Sequence, residues 1–174
     1  LEKGFTPATI VNDAPVVDLN GAAAGVNVTL AYAENGAATA VAPSATVTDV
    51  DSAAFNGGTM TVAFTAGGTV ADQLTIGDLG SITVTGASIM FGGNEIGTFS
   101  GGSNGTNLVI ALNNPAATPA AVQALVNAIQ FSNTSDNPAI AARTLTYTVT
   151  DGDGGTSAVA TATINVTAVN DAPV

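Results

Sequence analysis

Residues 144–167 read TLTYTVTDGDGGTSAVATATINVT and place two runs of alternating residues on either side of an acidic, glycine-rich stretch. In the first run, Leu145, Tyr147 and Val149 are separated by threonines. Alternation with a period of two and one apolar face is typical of half-buried antiparallel strands. The second run, 160–166, and the earlier runs 26–32, 60–64 and 108–112 show the same pattern.

Glycine pairs separate several of these runs and are candidates for turns or bulges. Many short alternating strands joined by turn residues are typical of a sandwich of two sheets. The sequence therefore predicts an all-β fold, an Ig-like β-sandwich. The pairs are Gly57-Gly58, Gly67-Gly68, Gly92-Gly93 and Gly101-Gly102.

One segment has helical rather than strand periodicity. Val122, Leu125, Val126 and Ile129 recur at positions i, i+3, i+4 and i+7, which form one face of a helix. Thr118 precedes a proline and offers an N-cap followed by proline at the first helical position. We expect a short α-helix over about 118–130 that packs on one open side of the sandwich.

The composition excludes several classes of function. Thirteen acidic residues face two basic ones, Lys3 and Arg143, and the formal net charge is −11. The chain therefore has no basic patch for nucleic acid or an anionic membrane surface, and a cation is the expected partner. The absence of Cys and His removes zinc sites and thiol or imidazole catalysis. No apolar run approaches the roughly 20 residues of a membrane span, so direct membrane insertion is not expected.

The hexapeptide VNDAPV occurs twice, beginning at Val11 and again at Val169, 158 positions later. Solenoid repeats have periods of about 20 to 50 residues, so this spacing matches a whole domain instead. We expect residues 1–14 to be a tag remnant and an interdomain linker, and 15–168 to be one domain excised from a tandem array. Residues 169–174 would then begin the next linker.

Acidic residues concentrate where strands are predicted to end. Asp49-Val50-Asp51 and Asp151-Gly152-Asp153 repeat a D-x-D spacing. In an extended chain, residues i and i+2 point to one face about 6.6 Å apart, and two such carboxylates can bind one calcium ion. The second stretch fails as an EF-hand loop, because glycine stands at its fifth position and Ala162 at its twelfth.

Together these motifs resemble the cadherin-like repeat domains of large bacterial surface adhesins of the RTX type. The resemblance rests on the pair Glu34-Asn35, on the two D-x-D motifs and on the linker segment 170–173, and it covers nearly the whole domain. Such repeats carry Glu where Asp153 stands and one more asparagine in the linker. They also lack a counterpart of residues 67–137, which the resemblance therefore treats as an insertion.

The resemblance implies two calcium half-sites at opposite ends of the domain, each completed by a neighbouring repeat. It also implies an extracellular location at a bacterial cell surface. The upper half-site would contain Asn12, Asp13, Asp49 and Asp51. The lower half-site would contain Glu34, Asp151, Asp153, Asn170 and Asp171.

Three functions compete at this stage. The first is a structural extender repeat, whose partners are neighbouring repeats and whose junctions are stiffened by Ca²⁺. The second is an adhesive module that binds a glycan, a host or surface protein or another copy of itself through loops near Gly92 and 101–104. The absence of Trp argues against sugar stacking. An enzyme is not expected, because metal binding explains the Asp49 and Asp51 pair better than glycoside hydrolysis does.

Overall fold

A computed structural model describes residues 11–170. Within these residues the chain forms thirteen β-strands and one α-helix. In the first half the strands are β1 (Val16–Asp18), β2 (Val28–Ala33), β3 (Thr39–Ala40), β4 (Thr46–Thr48), β5 (Gly58–Ala66), β6 (Asp72–Ile76) and β7 (Ile82–Thr85). The second half contains β8 (Ser88–Phe91), β9 (Asn94–Gly101), β10 (Leu108–Leu112), α1 (Pro119–Ala128), β11 (Ile129–Asn133), β12 (Arg143–Val149) and β13 (Ala160–Thr167).

The strands form one large sheet and two small ones. The large sheet has the order β2-β13-β12-β5-β10-β9-β8-β7, and the small sheets are β3-β11-β6 and β1-β4. Neighbours in the large sheet are antiparallel except β13 and β2, which are parallel. Buried residues of all three sheets and of α1 belong to one hydrophobic core. The predicted all-β, sandwich-like fold is confirmed.

The alternating runs identify the core-facing positions. Leu145, Tyr147 and Val149 are fully buried, and the threonines between them are only partly so. The residues at 108, 110 and 112 behave in the same way. The run predicted over 26–32 begins later, because Val26 lies before β2 and its carbonyl accepts a hydrogen bond from the Leu19 amide.

The predicted helix is present and slightly shorter than expected. The Thr118 hydroxyl accepts a hydrogen bond from the Ala121 amide, as an N-cap does, and Pro119 is the first helical residue. Val122, Leu125 and Val126 are buried. Ile129 is buried too, but its extended backbone ends the helix and begins β11. No helix within residues 11–170 is long and apolar enough to cross a membrane.

Residues 67–137 are an integral part of this sandwich. They supply β7 to β10, which form half of the large sheet, and also β6, β11 and α1. Seven of their residues are among the largest side chains with no exposed surface, including Phe131 and Ile96. A segment that supplies this much of the core must fold together with the rest of the domain.

The strand directions define two ends of the sandwich. At the first end β5 begins and β10 and β12 end, with Leu112 paired to Gly58 and Val149 to Met60. At the second end β5, β2 and β13 end, with Thr167 paired to Ala33. The chain between β12 and β13 turns at the first end, because these strands are antiparallel neighbours.

Candidate functional site

Residues of the first hexapeptide copy are held at the first end by two carboxylates distant in sequence. The Asn12 side-chain amide donates a 2.8 Å hydrogen bond to Oδ2 of Asp151. The Asp13 backbone amide donates a 3.0 Å hydrogen bond to Oδ2 of Asp51. The side chains of Asp13 and Asp51 are exposed. Four of the predicted ligands therefore lie together.

Asp49 directly follows β4 and precedes a bend at residues 50–51. Its Oδ1 accepts hydrogen bonds from the backbone amides of Asp51 and Ser52, at 3.1 and 2.9 Å. Its Oδ2 is buried without a hydrogen-bond partner. The extended geometry expected for residues 49–51 does not apply, since this bend turns the Asp49 carboxylate back onto its own chain.

Asp151 is fully buried at the turn between β12 and β13. Its Oδ1 accepts hydrogen bonds from the backbone amides of Asp153, Gly154 and Gly155, at 2.8, 3.0 and 3.0 Å. Burial acts to raise the pKa of Asp151, but the hydrogen bonds from Asn12 and from these amides outweigh it, and the pKa lies below its ordinary value. Asp151 is therefore an ionised anchor for the turn and for the hexapeptide.

The predicted assignment of Asp151 and Asp153 to the half-site of Glu34 is wrong. Asp151 contacts Asn12 at the first end, and Asp153 follows it in the same turn with an exposed side chain. The eight residues of β13 run from this turn to the second end, a length of about 26 Å. No single site can combine Asp151 with Glu34 within one domain.

Glu34 is the predicted ligand at the second end. It directly follows β2, its backbone amide bonds to the Thr167 carbonyl, and its side chain is 5 % exposed. Oε2 accepts a 2.7 Å hydrogen bond from the Val169 backbone amide, whereas Oε1 is buried without a partner. Asn170, the residue after Val169, is exposed. Asp171 and residues 1–10 lie outside the described residues.

Gly155 belongs to the first end and was not predicted from the sequence. A Cβ atom at this position would meet the Asp151 carboxylate, the Asp13 carbonyl oxygen and the Asn12 amide. Glycine is therefore required for the hexapeptide to pack against the turn. The signal in the sequence was the second glycine that follows Asp153.

A buried ion pair near the second end was also missed. Arg143 and Asp72 have no exposed side-chain surface, and Nε of Arg143 lies 3.2 Å from both Asp72 oxygens. Asn133 donates a 2.6 Å hydrogen bond to the same carboxylate. Nη1 of Arg143 donates to the carbonyls of Ala139 and Ala141. This network fastens β6, β11 and β12 to one another and fixes the loop before β12.

The two loops of the predicted adhesive surface differ in how firmly they are hydrogen-bonded to the rest of the domain. Gly92 and Gly93 form the tight turn between β8 and β9, both at positive φ. The 101–106 loop is held down instead, because Gly105 donates to the Asp72 carbonyl and Asn104 to the Gln73 side chain. Of these two, the 92–93 turn alone presents backbone with open space around it.

Neither end has a complete set of metal ligands among the described residues. Within residues 11–170, no three acidic side chains lie close enough together to hold a metal ion by themselves. Each end nevertheless has a buried carboxylate oxygen without a partner, on Asp49 at the first and on Glu34 at the second. Carboxylate oxygens are among the ligands that Ca²⁺ takes in proteins. No protein-family model, curated protein or solved structure matches this chain.

Proposed function

We propose that this chain is a calcium-binding structural module, an extender repeat of a secreted or cell-surface bacterial adhesin. In this role Ca²⁺ stiffens the junctions between consecutive cadherin-like repeats. The observation that carries the proposal is the position of the two VNDAPV copies. One lies against the first end and the other begins at the second, and each is close to a carboxylate with an unpartnered buried oxygen.

Unpartnered carboxylate oxygens are costly and favour a cation. Leaving a buried acceptor without a hydrogen bond costs about 1–3 kcal/mol, and more for a charged group. Asp49 and Glu34 each contain such an oxygen. When bound, Ca²⁺ supplies positive charge and takes several oxygen ligands, so it would relieve both costs at once.

The chain's own residues have distinct parts in this proposal. Asp13, Asp49, Asp51 and Asp153 offer carboxylate oxygens at the first end, and Glu34 offers them at the second. In the linker that follows, Asn170 would add an amide oxygen and Asp171 a carboxylate. Asp151 and Asn12 are already hydrogen-bonded to each other. Their role is to hold the linker so that the Asp13 side chain stays at the end face.

The expected affinity suits an extracellular ion concentration. Extracellular calcium modules bind with Kd values of about 10⁻⁴ to 10⁻³ M. An ion at a hundredfold excess over Kd that binds only the folded state adds about 2.7 kcal/mol per site. Calcium would therefore act as a stabiliser outside the cell and have little effect at cytosolic concentrations.

Thermal unfolding in excess Ca²⁺ and in EDTA tests the proposal. We expect a higher Tm in Ca²⁺ than in EDTA, and a smaller rise in Mg²⁺, which demands stricter octahedral geometry. Glu34→Gln should reduce the calcium-dependent rise, and Glu95→Gln, in β9, is the matched control. Identical melting curves in Ca²⁺ and EDTA, for both the single chain and a tandem of two copies, would refute it.

A further inference from the structure

We infer that the VNDAPV linker binds two consecutive copies of this domain at once and holds them directly against each other, even without calcium. We call this two-sided contact the splice. The first residue of VNDAPV binds the Glu34 end of the preceding copy, and its next two bind the Asp51 and Asp151 end of the following copy. The inference rests on the proposed function in that it takes the chain to be a tandem module, and it names the partner as a second copy of this chain.

The first copy of the hexapeptide shows which contacts are made with the domain that follows it. Asn12 binds Asp151, and the Asp13 amide binds Asp51. The Asp13 carbonyl packs against Gly155, where a side chain would not fit. The second and third residues of VNDAPV are thus fastened to the downstream domain.

The second copy shows the contact made with the domain that precedes it. The Val169 amide donates to Oε2 of Glu34, and this bond continues the pairing in which Glu34 donates to Thr167. The first residue of VNDAPV is thus fastened to the upstream domain. Since the two copies are identical in sequence, one hexapeptide between two domains has the residues for both sets of contacts.

Chain length then fixes how closely the two domains approach. An extended chain advances about 3.3–3.6 Å per residue, so the first and third amides of the hexapeptide are at most about 7 Å apart. With hydrogen bonds of 2.7 and 3.0 Å at either side, Glu34 of one copy lies within about 13 Å of Asp51 in the next. In this arrangement the two end faces lie close together, with no more than the hexapeptide between them.

Exposed aliphatic side chains occur at both ends that would meet. Val50, between Asp49 and Asp51, is 83 % exposed at the first end. Val70 and Ile140 are 79 % and 75 % exposed in the loops that precede β6 and β12 at the second end. An abutted joint would cover such side chains, which a free end leaves in water.

A tandem protein tests the splice without calcium. Residue 168 of one copy is joined to Val11 of a second copy, so that one hexapeptide lies between them. Rotational correlation times are measured by NMR relaxation in EDTA. In the spacer variant, a Gly-Ser insert of about six residues, with a reach of about 13 Å, stands between Val11 and Asn12 of the second copy. In the control, the same insert stands between Gly92 and Gly93.

In EDTA each domain of the parent and control tandems should tumble more slowly than the single chain, and calcium should lengthen the correlation time further. The spacer variant should lose this coupling in EDTA and show the single-chain correlation time for each domain. Independent tumbling of the parent in EDTA would overturn the splice, even if calcium then stiffened it as the proposed function requires. A coupled parent whose melting curve ignores calcium would support the splice and refute the proposed function.

Discussion

The side-chain amide of Asn12 lies 2.8 Å from a carboxylate oxygen of Asp151, although 139 positions separate the two residues. The bond closes the first end of the sandwich, because it fastens the segment before β1 to the turn between β12 and β13. Asp151 is fully buried and ionised at neutral pH. The buried, charged form of Asp151 is therefore stabilised by the hydrogen-bond donors that surround it.

Replacing Asn12 with Asp should make the first end dependent on calcium. Asn12→Asp removes a donor and sets a second carboxylate beside Asp151, which should lower the free energy of unfolding in EDTA by about 1–3 kcal/mol. Calcium should then raise the Tm of the variant more than that of the parent. Asn12→Ala is the control, since it removes the donor without adding charge. Equal calcium responses in both variants would contradict this arrangement.

Asp49 should matter for calcium more than for the apo fold. Asp49→Asn keeps an oxygen that can accept the hydrogen bonds from the two backbone amides now bound to Oδ1. It replaces the unpartnered Oδ2 and removes the negative charge. We expect little change of Tm in EDTA and loss of most of the calcium-dependent rise. Asp18→Asn is the matched control, because Asp18 likewise accepts two backbone amides beyond a strand. Equal calcium responses of Asp49→Asn and Asp18→Asn would show that Asp49 is not a calcium ligand.

Acid should destabilise the fold partly through Asp151. Its native pKa lies below the ordinary value of 3.8, so its contribution to stability is complete above that pH. The contribution is lost as the pH falls through the lower native pKa. Urea unfolding in EDTA between pH 7 and about pH 2 should show a steeper loss for the parent than for Asp151→Asn. Asp136→Asn, at an exposed loop position, should follow the parent; a parallel loss in Asp151→Asn would refute the assignment.

Arg143 and Asp72 should stabilise the fold only when both are present. Arg143→Met leaves the Asp72 carboxylate buried with no cation, and we expect a loss of about 3–5 kcal/mol of unfolding free energy. The double variant Asp72→Asn with Arg143→Met should recover part of this loss. Chemical denaturation of both single variants and the double variant measures the coupling. Additive losses would show that the two side chains act independently.

The alternating runs and the helix were predictable because their periodicity reports burial directly. Tyr147 and Val149 face the core for the same reason that threonines separate them in sequence. Thr118 and Pro119 marked the start of α1 through local hydrogen bonding and a fixed φ. Such features depend on near neighbours in the chain, and the sequence contains them in full.

The arrangement of the acidic residues was only partly predictable. The match of Asp151 to the cadherin-like motif placed it at the second end, which is wrong. The alternating runs on either side of it already indicated a turn between β12 and β13, and this turn lies at the end of the sandwich opposite the end of β13. The bend at Asp49 depends on backbone amides, which a D-x-D spacing does not specify. The ion pair joins Arg143 to Asp72, 71 positions away, and depends on how the sheets stack. The one sign of it in the sequence was that Arg143 is one of only two basic residues.

Calcium titration calorimetry of the single chain beside the tandem that shares one hexapeptide shows whether two end faces form a single calcium site. We expect one site in the tandem that binds Ca²⁺ more tightly than either single-chain end, because Glu34 of one copy and Asp49 of the next then lie at the same junction. Glu34→Gln in the first copy should abolish this site, and the same substitution in the second copy should not. Equal affinity and stoichiometry per domain in the tandem and the single chain would contradict the account.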